Sequence, residues 1–372
     1  MKRKIILILS VFILSVSVFG VNTYAADTDL THIDITDITD NLPDGAKDFF
    51  KQNDIDPQNE EWYKNLDTVN VFSQVFDMVK NGFRDVGAAF AQMSAVILLY
   101  AVINTYSPEN SKIGQSLNYI FSAVIAAGII ANIIVLVKLC SACIKSTAAF
   151  MLAAVPVLSG IAVLSGSAVG TATAGSAVLF AAQILVQAAA YVIIPLMSAY
   201  LAVSVCSGVS PFLSSCGIAE SVKNTAMAIM GFVFTMFLGL LSAQTAVAAA
   251  ADTMGTKTVK FLVSSFVPVA GPALSEAVTT VTASVGLLKS SVGIYVLIAV
   301  CAAALPIIIK LVLWRIALNV CALISSCFSL GKIPVLFKST DSVLSLLIGL
   351  MLFTAALFTI SLTVMLKAGG AV

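Results

Sequence analysis

Long runs of apolar residues separated by short polar segments are the dominant pattern of this 372-residue chain. A helix needs about 20 such residues to cross the hydrocarbon core of a bilayer. Six runs are clearly long enough, at residues 86–106, 117–137, 174–205, 225–251, 291–313 and 342–366, and three weaker ones lie at 148–170, 261–288 and 316–330. The pattern predicts an all-α polytopic membrane protein, a bundle of about six to nine transmembrane or re-entrant helices.

Charge composition supports this class and divides the chain in two. Hydrophobic residues make up 59% of the chain and charged residues only 10%, whereas soluble domains carry about 25% charged residues. Soluble enzyme classes are therefore excluded. Residues 26–85 contain 14 acidic and 5 basic side chains, and residues 86–372 contain 5 acidic and 12 basic ones. An acidic polar segment thus precedes a sparsely charged, slightly basic body.

The first 25 residues have the organisation of a secretory signal peptide. Lys2, Arg3 and Lys4 precede an apolar run, and Ala25 supplies a small residue at a cleavage site. An uncleaved first transmembrane helix is the alternative. In both cases residues 26–85 lie outside the cytoplasm. Their Asp-rich first part is predicted to be solvated and poorly ordered.

The second part of the exported segment predicts an amphipathic helix. Asp67-Thr68 is a plausible N-cap, and the apolar side chains after it recur at helical spacing. This stripe would lie on the membrane surface or pack on the bundle. Its members are Phe72, Phe76, Val79 and Phe83.

Matching residues at an offset of about 112 indicate an internal repeat. Lys112 and Lys223 begin the two units, Pro156 matches Pro268, and Pro195 matches Pro306. Chance matching in an apolar sequence is the alternative to duplication. The predicted organisation is 1–25 signal peptide, 26–85 acidic segment, 86–111 first span and loop, 112–222 and 223–337 repeat units, and 338–372 final span.

Both units contain a Val-Pro-Val sequence followed closely by glycine. Pro156 with Gly160 and Pro268 with Gly271 occupy the same place in the two units. Proline removes a backbone donor, so these stretches predict broken or re-entrant segments facing each other, as at the translocation sites of many transporters. Two kinked helices packed through small residues are an equally open interpretation.

Few polar groups lie in the apolar body. Gln183 and Gln187 are one helical turn apart and point to one face, where hydrogen bonding between helices is favoured over a role in permeation. Lys310 and Arg315 are interpreted as side chains that reach to the interface. Glu276 is the best candidate for a functional intramembrane charge, although a loop position explains it equally well.

The sequence contains no recognisable catalytic or cofactor motif. Cys140-x-x-Cys143 has no second pair and no nearby histidine for zinc, so the seven cysteines are interpreted as small packing residues. Phosphate-binding, dinucleotide-binding and hydrolase motifs are also missing. We therefore expect no enzyme activity, no cofactor, no metal and no nucleic-acid partner.

A signal peptide, a short acidic exported segment and a multi-span body resemble the stage III sporulation protein AE family of endospore-forming bacteria. The most specific stretch is residues 260–277, KFLVSSFVPVAGPALSEA, followed by residues 285–319 with Lys289 and the mid-helix Pro306. One departure is visible. Gly271-Pro272 stands where a Gly-Gly pair is expected, which puts local flexibility at this point in doubt.

The resemblance implies a subunit of the multi-protein channel or secretion-like complex that links mother cell and forespore after engulfment. It also implies the mother-cell-derived outer forespore membrane, other membrane subunits as partners and a role in forespore development; homo-oligomerisation stays open. The alternative is a self-sufficient secondary transporter for a small solute. Repeated broken segments favour the transporter, and the lack of a clear intramembrane ion-pair network weighs against it.

Overall fold

Helices account for the regular structure of the part of the chain that the computed structural model describes, residues 36–53, 55, 68–106, 112–164, 169–209, 218–251 and 291–368. Six of them are long and apolar enough to cross a membrane, which confirms the predicted all-α polytopic class. In chain order the helices are α1 Thr36–Asp40, α2 Asp44–Gln52, α3 Thr68–Tyr106, α4 Lys112–Leu164, α5 Val169–Val209, α6 Ile218–Ala251, α7 Ser291–Cys327 and α8 Ile333–Ala368.

The helices are longer than the apolar runs that predicted them. The predicted amphipathic helix is not separate from the first span, because α3 runs from Thr68 to Tyr106 as one helix. The weak run at 316–330 is mostly the continuation of α7. Several boundaries of the predicted organisation, at 85, 222 and 337, therefore fall inside α3, α6 and α8.

α4 bears directly on the predicted broken segments. It runs without interruption from Lys112 to Leu164 and carries Pro156 in its interior. The ring deprives the carbonyl of Leu152 of its usual partner, yet the helix continues. Residues 148–164 are therefore helical and unbroken, as in the interpretation of this stretch as a packed helix. The matching stretch at 261–288 lies outside the described residues.

An antiparallel hairpin of α7 and α8 forms the centre of the bundle. α7 ends in a tight turn in which Ser329 and Gly331 both have φ of 52°. The amide of Leu330 donates to the carbonyl of Ser325 at 3.1 Å, which closes the C-terminal turn of the helix. Glycine adopts this left-handed conformation without a steric penalty, so the turn position of Gly331 follows from the sequence.

Burial decreases from this hairpin outward. In the most apolar 18-residue stretch of α8, 72% of the residues are buried within the monomer. In the corresponding stretch of α6 the share is 22%. α8 packs on α5, and α5 also contacts α4 and α6, while α3 packs mainly on α7. The largest fully buried side chains include Phe150, Phe237, Phe337 and Phe358.

Hydroxyl side chains on α8 are satisfied within the helix itself. Thr354 donates to the carbonyl of Leu350 at 2.9 Å, and Ser361 donates to that of Leu357 at 2.7 Å. A buried hydroxyl without a partner would be costly in an apolar core. Bonding to the preceding turn lets α8 carry polar residues through the centre of the bundle.

Residues 36–52 of the acidic segment are folded, so the expectation of a poorly ordered chain is wrong for the part of it that the structure describes, residues 36–44. Ile38, Leu42, Ala46 and Phe50 are all buried. The ring of Phe50 lies 4.6 Å from that of Tyr295 on α7, centroid to centroid. A stripe of apolar residues every four positions carries this docking, and the surrounding aspartates obscured it.

The phenylalanines of α3 point away from the bundle. Phe72, Phe76 and Phe83 are 60–69% exposed, while Val79 is partly buried against the core. Of the two predicted positions, the outward-facing rings fit the membrane surface. The signal peptide, residues 1–25, lies outside the described residues.

Gly175 on α5 permits the close approach of α8. A methyl group at this position would lie 3.0 Å from Cα of Met365, a backbone atom that cannot swing aside. We expect Gly175→Ala to cost about 1–3 kcal/mol through overpacking. Thermal unfolding of the purified protein in detergent measures the loss.

Gly239→Ala is the matched control, because a methyl group at Gly239 meets no neighbouring atom within 4 Å. Alanine favours helix over glycine by up to about 1 kcal/mol, so this variant should be neutral or slightly more stable. Equal losses in both variants would contradict the packing of α5 on α8.

Candidate functional site

A paired arginine and aspartate lie within the central hairpin. Nε of Arg315 donates to Oδ1 of Asp341 at 2.7 Å, and Nη2 donates to Oδ2 at 3.0 Å. The side chains are only 9% and 17% exposed. Nδ2 of Asn319, one turn along α7, donates to the same carboxylate at 3.1 Å. The carboxylate therefore accepts three hydrogen bonds in a largely dry environment.

This geometry corrects the interpretation of Arg315 as a side chain that reaches to the interface. The guanidinium turns into the bundle because Asp341 faces it from the start of α8. A planar guanidinium can bond a carboxylate through two parallel hydrogen bonds, which lysine cannot do. The pair ties α7 to α8 at a fixed register.

Lys310 and Asp85 form a second, looser contact one turn earlier on α7. Nζ of Lys310 lies 3.8 Å from Oδ2 of Asp85 on α3, and the side chains are 36% and 60% exposed. Exposed pairs contribute about 0–1 kcal/mol. Together the two pairs make a charged layer that crosses α3, α7 and α8.

A cleft of about 170 Å³ opens between α4 and α5. Ser141 and Lys145 line it from α4, and Gln187, Tyr191 and Pro195 line it from α5. Nζ of Lys145 lies 5.9 Å from the ring centroid of Tyr191, within the range of a cation–π contact. The cleft joins a cation, several hydrogen-bonding groups and an apolar wall.

Gln183 lies one turn before Gln187 and is buried, at 8% exposed. Its Oε1 has no hydrogen-bond partner among the described residues. The two glutamines thus differ in environment, since Gln183 is inside the bundle and Gln187 borders the cleft.

The remaining candidate residues are separated from one another. Pro156 and Gly160 lie on the C-terminal part of α4, and a methyl group at Gly160 would meet no neighbouring atom. Pro306 is inside α7. Pro268, Gly271 and Glu276 lie outside the described residues, so their proposed pairing with the first unit stays a prediction.

The cysteines of the described residues are free thiols. Cys140, Cys143 and Cys321 are buried, as packing residues are, and Sγ of Cys143 lies 3.4 Å from the carbonyl oxygen of Ala303. Cys206 and Cys327 are exposed, so packing does not account for them. Within the described residues no group of three or more His, Cys, Asp or Glu could hold a metal.

Six long apolar helices around a buried ion pair define a multi-pass membrane protein. A model of the Stage III sporulation protein AE family matches residues 58–369. The Stage III sporulation protein AE of Bacillus subtilis (strain 168) is 27% identical over 315 residues, 83% of this chain and 76% of the relative. No solved structure matches the chain. The chain belongs to the stage III sporulation protein AE family.

Proposed function

We propose that this sporulation protein is a membrane subunit of a channel or secretion-like complex that connects mother cell and forespore. In this proposal it lies in the outer forespore membrane, supports forespore development, works with other membrane subunits and has no catalytic activity of its own. Family membership supports the sporulation role. The length of its exposed apolar surface supports a role as a subunit.

Exposed apolar side chains on α4 extend from Ile120 to Leu152, which are 58% and 44% exposed. They are about 32 residues apart, or about 48 Å along the helix axis. The hydrocarbon core is about 30 Å thick. Even if the helix tilts steeply, by about 40°, this length still extends over about 37 Å along the membrane normal. One end of this surface therefore lies beyond the lipid and requires another cover.

The charged helix α2 indicates which end lies outside. Gly45 of α2 packs on the backbone of Ala302 and Ala303 in α7. Cys143 of α4 contacts the carbonyl of Ala303, so α2, α4 and α7 meet at this level. The outer face of α2 is exposed and carries Asp44, Lys47, Asp48 and Lys51. Charges of this kind favour water or headgroups over hydrocarbon.

Leu152 is about 13 Å beyond Cys143 on α4, on the side away from Ile120. We therefore place Leu152 outside the hydrocarbon, where an exposed apolar residue fits a protein partner. The two helices at the edge of the bundle, α3 and α6, have large exposed faces of the same kind.

The alternative is a self-sufficient transporter, and one observation favours it. Arg315 and Asp341 form an ion pair within the spans, and such groups often mark transport pathways. Their mutual hydrogen bonds account for the same pair as a structural link between α7 and α8.

Site-specific photo-cross-linking in sporulating cells tests the proposal. We expect a cross-linker at Leu152 to capture other proteins and one at Ile134 to capture only lipid. Ile134 is the control because it is also exposed on α4, at 43%, but lies within the uncharged stretch 113–137. The full chain should also co-purify with further membrane subunits.

Two results would contradict the proposal. One is an absence of protein cross-links at both Leu152 and Ile120. The other is recovery of the protein as a lone monomer that takes up a solute in liposomes, which would establish the transporter.

A further inference from the structure

We propose that the cleft between α4 and α5 binds the headgroup of an anionic phospholipid, with Lys145 as the cation that holds the phosphate. The cleft is open on the outer surface of the bundle and has a volume of about 170 Å³. One water needs about 10–15 Å³ of such space, so there is room for a phosphate group and its neighbouring atoms.

The polar groups of the cleft are available to a ligand. Lys145 has no acidic partner among the described residues, and its one contact is with the ring of Tyr191. Ser141 and Gln187 make no hydrogen bond within the described part of the chain. Tyr191 is 67% exposed and adds a phenolic hydroxyl. An ammonium, two hydroxyls and an amide are donors that suit a phosphate.

The position of the cleft along α4 favours a lipid as the source of this phosphate. Lys138 directly follows the uncharged stretch 113–137, and Lys145 comes about two turns later. Both lysines are exposed. Exposed lysines in a membrane helix lie at the headgroup level. Below that level Ile134 is exposed on the same face of α4 as Lys145, about three turns away, and it offers an apolar surface to an acyl chain. Basic pockets between membrane helices bind anionic headgroups in this way.

The chain offers a matched control. Lys138 and Lys145 are seven residues apart, so they lie two turns apart on the same face of α4. Both are exposed lysines, but only Lys145 borders the cleft. A general attraction of anionic lipid to positive charge would depend equally on both.

The experiment uses the full chain in detergent, titrated with phosphatidylglycerol or phosphatidylcholine, with bound lipid counted by native mass spectrometry. We expect wild type and Lys138→Gln to bind phosphatidylglycerol alike and more tightly than phosphatidylcholine. Lys145→Gln should bind it about tenfold or more weakly, because a charged hydrogen bond is lost. Gln187→Leu should weaken binding about three- to tenfold.

Thermal unfolding without lipid shows whether each variant is folded. If Lys145→Gln does not fold, Gln187→Leu still tests the cleft. Equal affinities for the Lys138→Gln and Lys145→Gln variants would overturn the proposal, as would unchanged binding in Gln187→Leu. Inorganic phosphate is the competing probe. If inorganic phosphate displaces the lipid fully at a concentration equal to that of the lipid, the site binds free phosphate and the lipid proposal fails.

Discussion

Replacing Arg315 with leucine is expected to lower the free energy of unfolding by about 3–5 kcal/mol. The substitution leaves the carboxylate of Asp341 at 17% exposure with only the amide of Asn319 as a partner. An uncompensated buried charge costs far more than the pair itself contributes. Thermal unfolding in detergent and the amount of folded protein in membranes both measure the loss.

The double variant Arg315→Leu/Asp341→Leu separates this cause from a loss of packing. Replacing both members of a buried ion pair with apolar residues is often neutral or stabilising, so most of the stability should return. Lys310→Gln is the control at the neighbouring pair. It should cost less than about 1 kcal/mol because that pair is exposed. A double variant as unstable as Arg315→Leu would contradict the explanation.

The same variants distinguish the two candidate functions. A stable double variant that still supports sporulation would identify the pair as a structural link. A stable double variant that folds but fails in sporulating cells would favour a direct role of the charges, as in a transport pathway.

Apolar run length was sufficient to predict the long helices that could cross a membrane. Residues 86–106, 174–205 and 342–366 contain no charged side chain, and each falls inside one helix of the structure. In lipid the backbone must satisfy its hydrogen bonds within the helix itself. This requirement acts on consecutive residues, so the sequence shows where it applies. Helix continuation past the membrane edge was not predictable, because α3 and α4 extend through charged or proline-containing sequence.

The ion pair and the cleft depend on contacts between distant residues. Arg315 and Asp341 are separated by a turn whose geometry brings them face to face, and no periodicity within either helix encodes this. Similarly, Lys145 and Tyr191 meet only because α4 and α5 pack together. The sequence indicated Gln187 and Pro195 as polar and irregular positions, but not that they border one cleft.

The fold of residues 36–52 in the acidic segment had a weak local signal. Ile38, Leu42, Ala46 and Phe50 repeat at intervals of four, a helical stripe among aspartates. Average composition over this region favours disorder, but a short stripe is sufficient when α7 offers a preformed apolar surface. Tertiary contact rather than local propensity decides the outcome for such short helices.

Replacing Phe50 with aspartate is expected to detach α1 and α2 from the bundle. Phe50 is 4% exposed and its ring packs at a tilt against that of Tyr295, and loss of a buried phenylalanine costs about 3–5 kcal/mol. Hydrogen exchange of the α2 amides should accelerate by about a hundredfold or more. Exchange in α8 should stay unchanged, because the hairpin is held by its own contacts with α7 and α5.

Gln52→Asp provides the matched control, since it adds the same side chain at an exposed position of the same helix. Its effect should be limited to about 0.3–1 kcal/mol from the charge near the helix C-terminus. Rapid exchange of α2 in the wild-type protein would show that the helix is not docked. It would also remove the reason for placing Leu152 outside the hydrocarbon, since that placement depends on the docking of α2, with its exposed charges, against Ala302 and Ala303 of α7.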